Sequence, residues 1–143
     1  MTSIDFYFNA GDRLEVACRL AGKALQQKKR VLIYAPQPEL AQRVDRMLWT
    51  AQAVSFLPHC AAHDALAAET PLLIAADDSE PAHPCEVLLN LAAGCPPFFE
   101  RHERLLEIVS QDDAERQAGR ARFKFYRDRG YEIRNHDLAK AAA

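Results

Sequence analysis

Arg30-Val31-Leu32-Ile33-Tyr34-Ala35 decides the fold. From Val31 onward every side chain is apolar or aromatic, with no alternation. A strand with one wet face alternates polar and apolar residues. An unbroken apolar run belongs to a strand covered on both faces, as in a parallel sheet between helices. The residues before it supply a second strand and a helix. Ile4-Asp5-Phe6-Tyr7-Phe8-Asn9 alternates and is rich in β-formers, so it reads as a strand, and Asn9-Ala10-Gly11-Asp12 reads as a turn. Leu14, Ala17, Cys18, Ala21, Ala24 and Leu25 then recur at helical spacing, with Arg13, Arg19, Lys23 and Gln26 between them. Strand, helix and strand make a βαβ unit, whose crossover is expected to be right-handed.

The same pattern continues toward the C-terminus. Pro36-Gln37-Pro38 stops the strand, and Pro38 suits the first turn of a helix whose inner face is Leu40, Val44, Met47 and Leu48. Val54 to Leu57 reads as a short strand ended by Pro58. Pro71 to Ala76 and Glu86 to Leu91 read as two more strands. Leu105 to Val109 suits a strand, with helix as the alternative. Asp112 to Gly130 is a final helix, opened by an Asp pair and closed by glycine. The predicted fold is α/β: an open, mainly parallel sheet with helices on both faces, Rossmann-like but without a nucleotide-binding motif. The expected boundaries are one domain over residues 4–134 and a C-terminal tail over 135–143, partly disordered and Ala-rich at its end.

Size and composition agree with such a domain. The 143 residues are 49% hydrophobic and 27% charged, enough to bury one core. A net charge of −2 gives no reason to expect broad attraction to nucleic acid or anionic membrane. The N-terminal residues carry no secretory pattern, and no apolar run approaches membrane-spanning length. Cys18, Cys60, Cys85 and Cys95 are widely spaced and form no CxxC pair. Free thiols and a cytoplasmic location are the expectation.

Open α/β sheets hold ligands beyond the C-terminal strand ends, yet the motifs there are weak. There is no GxGxxG. Gly22-Lys23 resembles the end of a P-loop, but Ala24 replaces the magnesium-holding Ser or Thr and the segment lies within a helix. Asp77-Asp78 follows a strand directly and would suit magnesium or an acyl-phosphate; a solvated turn is the stronger reading. His59, Cys60 and His63, with His83 and Cys85, match no common zinc spacing, and free loop side chains are the stronger reading. Ser55, Ser79 and Ser110 sit in no GxSxG elbow. No catalytic residue, metal or cofactor is expected.

Two surfaces carry signal. Between residues 116 and 134, Arg116, Arg120, Arg122, Lys124, Arg127, Arg129 and Arg134 face only Asp128 and Glu132. That local excess of five positive charges leaves −7 for the rest of the chain. At the helical angle, Arg116, Arg120, Phe123 and Arg127 fall on one stripe with Lys124 beside it, while Ala118, Ala121 and Phe125 fall opposite and suit the core. A basic stripe with an aromatic ring suits an acidic peptide with an apolar anchor, and would also suit phosphates. The alternative is a solvated basic face. The second surface is Leu48-Trp49-Thr50 to Pro58-His59, where the chain's one Trp ends a helix. Trp49 and Phe56 suit either an interface or the closing of the core.

These stretches together resemble a known family. Leu48-Trp49 with Ser55-Phe56-Leu57-Pro58-His59, and Arg120-Ala121-Arg122-Phe123-Lys124-Phe125-Tyr126-Arg127-Asp128-Arg129-Gly130-Tyr131, resemble the chi subunit of bacterial DNA polymerase III holoenzyme. Phe6-Tyr7-Phe8 and Lys29-Arg30-Val31-Leu32-Ile33 also fit, so the likeness runs from about residue 4 to 134. It implies a non-catalytic accessory subunit of the clamp loader in DNA replication. It implies two partners, the psi subunit and the C-terminal tail of single-stranded DNA-binding protein, and only indirect contact with DNA. That tail ends in acidic residues, then Ile-Pro-Phe with a free carboxylate. On this likeness Arg116, Arg120 and Lys124 would meet its carboxylates, Phe123 would line its apolar seat, and Arg127 would add charge. Family members often carry Tyr at the Phe123 position and Lys at the Arg116 position. Trp49 and Phe56 match the positions that face psi, a surface for which a helicase-like repair protein competes. The rivals are a small metal-dependent phosphatase or nucleotide-binding enzyme using Asp77 and Asp78, and direct binding of single-stranded DNA by the basic helix.

Overall fold

A computed structural model describes residues 2–50, 59–62, 64, 70–78 and 85–141, without the side chains of Trp49, Thr50, Lys140 and Ala141. In chain order the elements are β1 (Ser3–Ala10), α1 (Arg13–Gln26), β2 (Val31–Tyr34), α2 (Pro38–Thr50), β3 (His59–Ala61), β4 (Leu72–Ala75), β5 (Val87–Asn90), a 3-10 turn (Phe99–Arg101), β6 (Arg104–Ser110), α3 (Asp113–Asp128), β7 (Ile133–Asp137) and α4 (Leu138–Ala141). The described strands form one sheet of seven, in the order β3-β4-β2-β5-β6-β1-β7. Every pairing is parallel. Every residue of β2, β4 and β5 is buried, as the unbroken apolar runs demand.

The sheet divides the core into two apolar layers. One side holds Leu14, Ala17, Ala21, Val44 and Leu48 from α1 and α2 against Val31, Ile33, Leu72, Ile74, Leu89 and Ile108. The other holds Ile4, Phe6, Leu32, Leu73, Leu88 and Leu105 against Tyr126 of α3. Alternation along β1 explains its dual loyalty: Ile4 and Phe6 face α3, whereas Tyr7 joins the α1 side. Both long helices next to the sheet's centre open on an aspartate. Asp12 accepts from the backbone N–H of Leu14 and Glu15, and Asp112 accepts from that of Glu115. Gly130, at φ 82°, turns the chain out of α3 in the left-handed conformation that glycine adopts without strain.

The fold fills in one point that the sequence leaves open and departs from the sequence reading in two places. The strand order sets β6 and β5 between β1 and β2, and α1 crosses over both. His59 and Cys60 stand on an edge strand, not in a loop. The run is too short to show alternation, and pairing with β4 is what makes it a strand. The strand expected over 54–57 lies outside the described residues. At the C-terminus the sheet continues past residue 134. β7 runs to Asp137 and pairs with β1 from Ile4–Ile133 to Phe8–Asp137, and α4 follows at once. Ile133-Arg134-Asn135-His136-Asp137 carries one apolar residue, so its strand character comes from the open edge of β1 and not from its composition.

Candidate functional site

The position of α3 fixes the site. Its inner face is Gly119, Arg122 and Tyr126, which are buried, with Phe123 half-buried beside them. Of Ala118, Ala121 and Phe125, expected to turn inward, Phe125 packs half-buried against the core, whereas Ala121 is exposed and Ala118 only half-buried. The reason is Glu107 of β6, a fully buried carboxylate beneath the helix. Arg122 Nε donates to Glu107 Oε1 at 2.9 Å and Tyr126 Oη donates to Oε2 at 2.6 Å. Asn90 Nδ2 reaches both oxygens, at 3.1 and 3.0 Å. Arg122 Nη1 also donates to the Ala93 carbonyl at 2.9 Å. Burial pushes the Glu107 carboxyl up, and Arg122, Tyr126 and Asn90 oppose that shift. A helix face that must satisfy a buried charge is polar, so an apolar-stripe rule misplaces it.

Close approach completes the geometry. A Cβ at Gly119 would lie 2.7 Å from Val109 Cγ2, so glycine lets α3 settle against β6. Beside this contact, toward the β1–β7 edge, a cavity of about 320 Å³ opens. Arg116 and Arg120 of α3 line it, with Phe6 and Phe8 of β1, Val109 of β6, and Phe123. Phe123 meets Phe6 edge-on, with centroids 5.2 Å apart. Asn9, Ser110 and Asn135 add polar groups. Asn9 sits at φ 63° where the β1–β6 register slips, and its amide donates to Asp137 at 2.9 Å. The result is a pocket with an aromatic lining and two exposed guanidiniums.

Arg116, Arg120 and Phe123 therefore line one pocket. Lys124 and Arg127 are exposed on the same helix and do not line it; Arg127 lies 3.5 Å from Asp128. Sequence reasoning missed Phe6, Phe8 and Asn135 as lining residues. Alternation along β1 marked which of its side chains share a face, but not that α3 would stop short of covering them.

The second surface is described in part. Trp49 lies in the last turn of α2, but its side chain lies outside the described residues, as does all of Phe56. His59 bonds Asp45 of α2 at 2.9 Å and so ties β3 to that helix. A cavity of about 440 Å³ lies alongside, lined by residues that include Ala41, Asp45, Arg46, Ala61 and Ile74. The enzyme candidates gain no geometry. Asp77 and Asp78 are exposed, and Tyr34 donates its hydroxyl to Asp78. Gly22-Lys23 lies within α1, with Lys23 in its last turn, and not in a loop before a helix. Among the described residues no group of three His, Cys, Asp or Glu could hold a metal ion. His63, His83, Ser55 and Ser79 lie outside them. No described helix is long and apolar enough to cross a membrane.

Comparison with known proteins settles the family. The model of the family described as DNA polymerase III chi subunit, HolC, matches residues 1–134. The DNA polymerase III subunit chi of Pseudomonas aeruginosa is 34% identical over 144 aligned positions, covering 98% of this chain and 99% of the relative. The proteins of the same name from Escherichia coli K12 and Haemophilus influenzae are 28% and 27% identical, over 83% and 87% of this chain and 81% and 86% of their own lengths. With one name recurring across near-complete alignments, the chain belongs to the DNA polymerase III chi subunit family, the accessory subunits of a replicative DNA polymerase.

Proposed function

We propose that this chain is a non-catalytic adaptor that seats the C-terminal tail of single-stranded DNA-binding protein in the pocket between α3, β1 and β7. It would also bind the psi subunit through the surface around the end of α2, where a repair helicase would compete. One observation carries the reading: Phe6, Phe8, Val109 and Phe123 line the same pocket as Arg116 and Arg120. A tail of acidic residues followed by Ile-Pro-Phe and a free carboxylate needs this combination. The apolar end fills the aromatic seat, and the carboxylates meet guanidiniums in charge-assisted pairs. Lys124 and Arg127, exposed outside the pocket, add positive field along the approach.

Support for the psi surface is the last turn of α2, which carries Trp49, beside the cavity lined by Ala41, Arg46 and Ile74. Contact with DNA is then indirect, through a protein that coats it. A tail contact on the order of micromolar suffices, because holding two assemblies on one subunit raises their effective concentration.

The test is titration of a fluorescent peptide ending in Ile-Pro-Phe, with a run of aspartates before it and a free carboxylate. The unmodified protein should bind it, more weakly as salt rises. Arg120→Ala should weaken it by about tenfold or more, the loss of one charged hydrogen bond at ~1.5–3 kcal/mol. Absence of binding by the folded, unmodified protein would sink the reading. A naked single-stranded oligonucleotide binding at moderate salt would favour the basic helix as a direct DNA site instead.

A further inference from the structure

β7 separates the pocket from a second cationic cluster. Asn135 lines the pocket, so strand alternation sends Arg134 and His136 to the opposite face. There the register sets Asp5 of β1 beside Arg134, and Tyr7 beside His136. Asp5 is 1% exposed and receives three cationic or potentially cationic partners. Arg104 Nη2 donates to Oδ2 at 2.9 Å. Arg134 approaches Oδ1 through Nε at 3.1 Å and Oδ2 through Nη2 at 3.2 Å. His136 Nε2 lies 2.9 Å from Oδ1, its ring stacked on Tyr7 with centroids 4.5 Å apart.

The balance of charge is the informative part. One carboxylate faces two guanidiniums and an imidazole, leaving one surplus positive charge, or two with His136 protonated. That surplus is in water: the side chains of Arg104, Arg134 and His136 are 35%, 53% and 42% exposed. Arg134 uses Nε and Nη2 on Asp5 and Ser3, while its Nη1 makes no hydrogen bond among the described residues. The buried carboxylate also holds both guanidiniums in place, so a ligand orders little on arrival.

We propose that Arg104, Arg134 and His136 form a second anion-binding contact, which receives carboxylates of the acidic segment seated in the pocket, where that segment crosses β7. The proposal rests on the pocket reading above. β7 ends the sheet, so its far side is open to a crossing chain among the described strands. About three extended residues, ~10 Å, carry a peptide from one face of a strand to the other. An acidic peptide fits better than a nucleic-acid backbone. The surplus is one compact point, not a track along which a run of phosphates would lie.

The experiment uses two fluorescent peptides, one with aspartates before Ile-Pro-Phe and one with asparagines in their place, and the variant Arg134→Gln. Arg134→Gln should weaken the aspartate peptide about three- to tenfold at low salt and leave the asparagine peptide unchanged. In the unmodified protein, the Arg134 Nε–H and His136 ring resonances should move with the aspartate peptide only, a readout that needs no variant to fold. Equal binding of the aspartate peptide by Arg134→Gln and the unmodified protein would overturn this contact while leaving the pocket intact. No binding of either peptide by the unmodified protein would overturn both. Oligonucleotide binding that Arg134→Gln abolishes, with peptide binding untouched, would assign the cluster to nucleic acid.

Discussion

Two buried carboxylates on opposite faces of the sheet organise the residues around them. Glu107 holds α3 through Arg122 and Tyr126, and Asp5 holds the β7 edge through Arg104, Arg134 and His136. They answer burial differently. At Asp5, burial raises the carboxyl, but His136, Arg104 and Arg134 together hold it below its ordinary value. A carboxylate depressed in the folded state contributes stability above its unfolded value, near 3.9, and loses that contribution as pH falls through the folded value. Denaturant unfolding across pH 2 to 6 should therefore show a steeper acid limb for the unmodified protein than for Asp5→Asn, with the curves differing most above about pH 4. Parallel curves would place the acid sensitivity elsewhere. Neither carboxylate announced itself: a lone Asp in Phe-rich β1, and a lone Glu in β6, look the same in sequence whether they point to water or inward. Only the cations brought from residues far along the chain tell them apart.

At the scale of the element, α3 shows what a sequence pattern can and cannot reach. Its ends were legible, because Asp112 and Gly130 are chemically suited to start and stop a helix. So was the alignment of Arg116, Arg120 and Phe123 on one stripe, which follows from helical geometry alone. Its inner face was not, since an apolar-stripe rule passes over Arg122 in favour of Ala121. Gly119 also hides its purpose until Val109 is seen beneath it. Gly119→Ala should destabilise the fold by about 1–3 kcal/mol, since the new methyl meets a branched, buried side chain. Pairing it with Val109→Ala should recover part of the loss. Chemical denaturation of the single and double variants measures this, and additive losses would deny the contact. The edge strands β3 and β7 were the elements least legible. They are short or polar, and become strands through their neighbours β4 and β1.

Across the whole molecule, the α/β class followed from the apolar runs of β2, β4 and β5, which only a sheet covered on both sides can bury. Strand order did not follow, because a helix of α1's length can pass over intervening strands as easily as it can join neighbours. The consequence is functional. Placing β6 and β5 between β1 and β2 brings β1 beside β7 at one end of the sheet, while β3 and the end of α2 lie at the other. On the proposed function, two binding surfaces on opposite edges would let the chain hold both partners at once. The most direct test maps amide chemical shifts of the labelled protein during titration with the aspartate peptide ending in Ile-Pro-Phe. The account expects the largest changes at Phe6, Phe8, Arg116, Gly119, Arg120, Phe123 and Asn135. Binding that leaves these signals still and moves those of α2 and β3 would contradict it.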